Sequence, residues 1–110
     1  MSNYIIKTYH FKTKSEVGKD AFLVVSAQVD AYLLEVEGFV YRSVAQVTEY
    51  EWLDCVYWSS AEAAQAGGDA AMEQPFMEAF MACIDPATVV YTEAVIATQA
   101  YPEMHQAPPQ

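Results

Sequence analysis

Positive charge is what this sequence has least of. Only five residues are Lys or Arg, against fifteen Asp or Glu, so the formal net charge is −10. Lys7, Lys12, Lys14 and Lys19 all lie near the start, and Arg42 stands alone after them. A surface this acidic repels phosphate backbones, which argues against nucleic acid as a partner. Histidine is scarce too. His10 and His105 are far apart in sequence, so no metal site is expected. The two cysteines, Cys55 and Cys83, have no motif spacing and are expected as reduced core residues. No apolar run approaches the roughly 20 residues that span a bilayer, and the N-terminus has no signal-peptide pattern. The chain is therefore expected to be cytoplasmic, with no membrane partner. Gly67-Gly68 follows no strand and precedes no lysine, so it is no phosphate loop. There is no nucleophile elbow, triad signature or internal repeat, and no residue pattern that calls for a cofactor.

What the sequence has in quantity is apolar and aromatic side chains, at 54% and 14% of residues. That suffices for one domain with a modest core, expected over residues 1–98. Residues 99–110 carry three prolines and no apolar pattern, and read as a loose tail.

The most informative stretch runs from Trp52 to Glu62. It starts as a strand, with Trp52, Asp54, Val56 and Trp58 on one face and Leu53, Cys55, Tyr57 and Ser59 on the other. Neither face is polar enough for water, so both need a cover. Ser59 is then expected to cap a helix, with Glu62 closing a capping box. Before this stretch the pattern predicts a strand over Asn3–Lys12 and a helix from about Lys19 to Glu37, stopped by Gly38. A strand over Phe39–Val47 follows, joined to the next by a turn at 48–51 to make a hairpin. After it, an alanine-rich helix is expected to be interrupted at Gly67-Gly68 and to resume at Pro75. A last strand covers Ala87–Thr98.

Strand, helix, strand, strand, helix, strand is the ferredoxin-like arrangement, an α+β fold with an antiparallel four-stranded sheet and helices on one face. The far face is too apolar to stand bare. A second copy, sheet against sheet, is the simplest cover, so a homodimer through the sheet face is expected.

Phe11-Lys12-Thr13-Lys14, Gly38-Phe39-Val40, the run from Trp52 to Ala64, and Ile84-Asp85-Pro86 resemble the dimeric α/β-barrel superfamily, closest to the antibiotic-biosynthesis-monooxygenase-like proteins. The likeness covers about residues 4 to 97. It implies a dimer whose two sheets form a barrel, and a small pocket between sheet and helices in each subunit. It also implies cofactor-free oxidation of phenolic or polyketide rings in some relatives and heme degradation in others. Trp58 looks like the tryptophan that ends the third strand and lines the pocket in both branches. Their first-strand asparagine is missing, and Thr8 or His10 stands in its region. The second-helix histidine of the heme branch is missing too, where Ala66-Gly67-Gly68-Asp69 occurs, which argues against heme.

His10, with an ordinary pKa of about 6.5, suits a general base that takes a proton from a phenol or an acidic carbon. It is expected on Trp58's face, and the two are the candidate catalytic pair. Asp54 needs a buried partner, and Arg42 on the adjacent strand is the available cation. Thr8, Tyr41, Asp54, Phe76 and Phe80 are candidate substrate-binding residues. The methionines, four of them between Met72 and Met104, fit either plain packing or an adaptable apolar pocket. Two functions are compatible with these residues. One is a cofactor-independent monooxygenase acting on a small apolar aromatic or polyketide-like molecule. The other is a non-catalytic dimer that binds a small apolar ligand or a partner protein.

Overall fold

In the computed structural model, which describes residues 4–102, the elements are β1 (Ile5–Lys12), α1 (Lys19–Leu33), β2 (Phe39–Gln46), β3 (Glu51–Trp58), α2 (Ala61–Met72), α3 (Pro75–Ala82), a 3-10 turn at Pro86–Thr88 and β4 (Val90–Val95). Asn3, the expected start of the first strand, and most of the expected tail, with Met104 and His105, lie outside the described residues. The sheet is antiparallel, in the order β2-β3-β1-β4. This is the ferredoxin-like α+β fold, with the second helical region divided into α2 and α3. No helix among the described residues is long and apolar enough to cross a membrane.

Register decides which side chains meet. Every second residue of β3 is buried, from Trp52 through Asp54 and Val56 to Trp58. Across from these stand Phe11, Tyr9, Lys7 and Ile5 of β1, so all eight face the helices. Ile6, Thr8 and His10 pair with Tyr57, Cys55 and Leu53 on the open face. Phe22 of α1 sits at the centre of the core, its ring 4.8 Å from Trp52, 5.9 Å from Phe11 and 5.8 Å from Phe80.

Four local expectations need correction. The register of β2 shifts between Phe39 and Tyr41, so strict alternation fails there: Phe39 pairs with Trp58 on the helix face, while Tyr41 pairs with Tyr57 on the open one. The cap of α2 is Ser60, whose Oγ accepts from the Ala63 N–H at 3.0 Å. Ser59 precedes the cap, and its N–H donates to the Gly38 carbonyl at 2.8 Å. Helix α2 runs unbroken through Gly67-Gly68 and ends only at Glu73. Cys55 lies on the open face and is only half-buried, while Cys83 is in the core as expected. Burial pushes both thiols up, towards the protonated and unreactive form.

Gly38 joins α1 to β2 with φ of 88°, and a Cβ there would run into the Cβ of Ala63. Gly38→Ala is therefore expected to cost about 2 kcal/mol through strain and overpacking together. Chemical denaturation measures this, and an unchanged midpoint would show that α2 is not seated against this turn.

Candidate functional site

A cavity of about 270 Å³ lies between the sheet and the helices. Its floor is the helix-facing row of the sheet: Lys7, Tyr9 and Phe11 of β1, Arg42 of β2, and Asp54, Val56 and Trp58 of β3. Val29 and Leu33 of α1, Gly68 and Ala71 of α2, and Met77 and Phe80 of α3 close it from above. Met72, Met81, Val89 and Tyr91 line it but are exposed, so they form the rim. The composition of the floor follows from the strand alternation, and the methionines of α2 and α3 give the roof its adaptable surface.

Trp58 is buried at one end, with Phe39 edge-on at 6.0 Å and 78° between ring planes. A Cβ on Gly67 would run into the Trp58 ring. A Cβ on Gly68 would stand 3.3 Å from Lys7 Nζ. The glycine pair thus costs helix propensity, about 1 kcal/mol per residue, and in return α2 lies directly on Trp58 and Lys7.

The charged groups are few and mostly matched. Arg42 grips Asp54 with both arms of its guanidinium, Nε to Oδ1 at 3.1 Å and Nη2 to Oδ2 at 2.8 Å. Its Nη1 reaches α1, donating to Asp30 Oδ1 at 2.7 Å and to the Ser26 carbonyl at 3.1 Å. The Phe80 ring lies over the guanidinium at 5.7 Å. Burial alone would lower the Arg42 pKa, but these bonds to Asp54 and Asp30 raise it, so the guanidinium stays charged. Tyr9 lies 5.1 Å from Tyr91, ring to ring. Burial first, and then the carboxylates of Asp54 and Glu93, push the Tyr9 phenol up to about 12. Tyr91 donates to Glu93 Oε1 at 2.7 Å and is raised further, by burial and by that bond.

Of the residues singled out in the sequence, Trp58, Asp54 and Phe80 meet in the cavity, and the Asp54–Arg42 pair is present. His10 and Thr8 do not share Trp58's face. Both point to the open side of the sheet, because the odd-numbered residues of β1 are the ones opposite Trp58, Val56 and Asp54. His10 is half-exposed and pairs there with Glu51, Nε2 to Oε2 at 2.6 Å. Tyr41 is on the open side as well, 5.7 Å from the Tyr57 ring. Phe76 packs on Tyr32 at 5.6 Å and does not line the cavity. Lys7 and Tyr9 were not singled out as site residues, although the period-two pattern of β1 already puts them on one face with Phe11. The first-strand polar residue nearest Trp58's row is thus Lys7.

No protein-family profile and no curated protein matches the chain. Solved structures do. SnoaB from Streptomyces nogalater, described as a cofactor-independent oxygenase, superposes with a TM-score of 0.62 at 17% identity over 92% of this chain and 99% of its own. A Chloroflexus aurantiacus protein provisionally named an antibiotic biosynthesis monooxygenase gives 0.64 at 16% identity, over 89% of this chain and 97% of that one. NE2512 of Nitrosomonas europaea, of unknown function, gives 0.69 at 10% identity, over 91% and 95%. The chain shares its fold with these structures. Within that fold the described cavity occupies the space between sheet and helices that the sequence resemblance implies.

Two predictions concern the polar groups of this cavity. Removing one partner of the buried pair, as in Arg42→Met or Asp54→Leu, strands a charge and is expected to cost about 3–5 kcal/mol. The double variant is expected to lose clearly less than the sum of the two, as measured in a double-mutant cycle by urea unfolding. The second concerns Tyr9. The folded chain holds this proton more tightly than the unfolded chain, whose phenol has the ordinary value of 10.0. Its contribution to stability is complete below pH 10 and is lost as pH rises towards 12. Tyr9→Phe is expected to lose less stability than wild type across that window, read as Tm against pH.

Proposed function

We propose that the chain is a small cofactor-independent oxygenase that binds an apolar aromatic or polyketide-like molecule in the cavity beside Trp58. The observation that carries this reading is a chamber with apolar walls, ended by a buried indole and opening through a rim of methionines. The likeness to SnoaB supports it through the fold. A flat ring system fits between Trp58, Val56 and Phe80, where burial and ring contacts supply affinity. The chemistry needs an activated CH₂ or a hydroquinone. Loss of a proton gives a carbanion, which passes its electrons to dioxygen and forms a C–O bond. Protonation gives the hydroperoxide, and elimination of water leaves a carbonyl, so R₂CH₂ and O₂ become R₂CO and H₂O. Water at the rim takes the first proton. His10 of the same chain lies on the other side of the sheet and has no part in this.

We also propose that a second copy covers the open face, where Ile6, Leu53, Tyr57 and Tyr41 gather apolar surface around the His10–Glu51 pair. The position of His10 favours a second reading, in which the dimer binds a small apolar ligand or a partner without turning anything over.

Oxygen uptake and absorbance with a panel of anthrones and hydroquinones under air separate the two. Turnover is expected in wild type, undiminished in His10→Ala, and reduced about tenfold or more in Trp58→Phe, the scale of about 1.4 kcal/mol of lost transition-state contact. Tight binding of the panel without oxygen uptake would leave the binding reading in its place. Sedimentation at micromolar concentration checks the dimer, and a folded monomer would remove it.

A further inference from the structure

One charged group on the cavity's lining has no salt-bridge partner among the described residues. Arg42 and Asp54 neutralise each other within it, and Asp30 takes up the remaining arm of the guanidinium. Tyr9 and Tyr91 keep their protons. Lys7 is different. Its Nζ donates to the Ala64 carbonyl at 3.3 Å, and among the described residues no carboxylate stands within ion-pair reach of it. Glu93 is its direct neighbour across the β1–β4 ladder, yet that carboxylate accepts from Tyr91 instead. An ammonium carries three donors, so one long bond leaves two unused. Gly68 lets the ammonium lie close to the α2 backbone, where a Cβ would stand 3.3 Å from Nζ. An anion entering the cavity would take up the donors that the Ala64 carbonyl leaves unused.

We propose that Lys7 receives an oxyanion of the molecule bound in the cavity, so that the site selects apolar ring systems carrying a phenolate, enolate or carboxylate over their neutral isosteres. The inference rests on the cavity being the ligand site, as proposed above, and not on any reaction with oxygen. Lys7 and Trp58 both face the cavity, so a ring lying along Trp58 can present its oxygen to the ammonium. Tyr9, two residues along the same strand face, adds a neutral donor and no competing charge. The acidic character of the chain, at −10, makes this discrimination depend on a local cation, since the field of the whole molecule disfavours anions. For an enol, the same contact stabilises the conjugate anion and makes the proton easier to lose, which removes the need for a strong protein base.

Equilibrium titration of the full chain tests this, following tryptophan fluorescence with three probes. They are 4-nitro-1-naphthol in its ionised form, 1-naphthoate, and the neutral 1-methoxy-4-nitronaphthalene. Wild type is expected to bind at least one anion about ten- to a hundredfold more tightly than the ether, the scale of a charge-assisted hydrogen bond in a protected site. Lys7→Met is expected to abolish that preference, while Lys7→Arg retains most of it. The anion with the larger ratio identifies the group the site takes. A preference for anions that survives in Lys7→Met, or a wild type that favours the ether, overturns the role of Lys7 and leaves the cavity reading standing. Failure of wild type to bind any of the three overturns both. A Lys7-dependent preference without oxygen uptake in the assay above supports this inference and removes only the oxygenase.

Discussion

Arg42 is the side chain on which the geometry of the cavity depends. It rises from β2, clasps Asp54 on the neighbouring strand, and reaches over to Asp30 and the Ser26 carbonyl of α1. One guanidinium therefore fixes the spacing between sheet and helix, and that spacing is the height of the chamber. The ionic attraction alone would do no more than offset the desolvation of two buried charges. Completeness makes the arrangement work: four hydrogen bonds and an aromatic ring leave the guanidinium well satisfied. Arg42 is also the only Lys or Arg after Lys19. Lysine could not do the same job, since a single ammonium cannot grip a carboxylate with two parallel donors while reaching a helix.

The fold was readable in the sequence because its signals are local. The alternation in β3 and the three- and four-residue spacing of Phe22, Val25, Val29 and Leu33 depend on a few neighbours each, although α1 ends at Leu33, short of the expected end at Glu37. The Arg42–Asp54 pair was readable for a different reason, since a lone cation and a mid-strand carboxylate on adjacent strands have few choices. The site was less accessible. Which half of β1 faces Trp58 depends on the register between strands far apart in sequence, and a slip of one residue exchanges Lys7 and Tyr9 for Thr8 and His10. Chemistry made His10 the attractive candidate, and register put it on the other side. The bulge beside Val40 is of the same kind, as nothing in Phe39–Val40–Tyr41 announces it.

Gly67-Gly68 shows how a correct propensity can give an incomplete expectation. Adjacent glycines do weaken a helix, yet α2 continues through them because the tertiary contact outweighs the local loss. Their placement follows from what lies beneath: Trp58 under one and Lys7 under the other. The two strand residues that give the cavity its aromatic end and its free charge are also the two that need bare backbone above them. Sheet and helix are matched at this point by size as well as by polarity.

The bare edge at Gly67 has a further consequence. The indole of Trp58 rests against helix backbone, a surface that has no rotamers and cannot yield, so the tryptophan is held from behind as if by a doorstop. Any side chain introduced at position 67 would run into the ring, so that indole and helix could no longer both keep their present places. The seat of the indole beside the chamber therefore depends on one helix residue that need never touch what is bound inside.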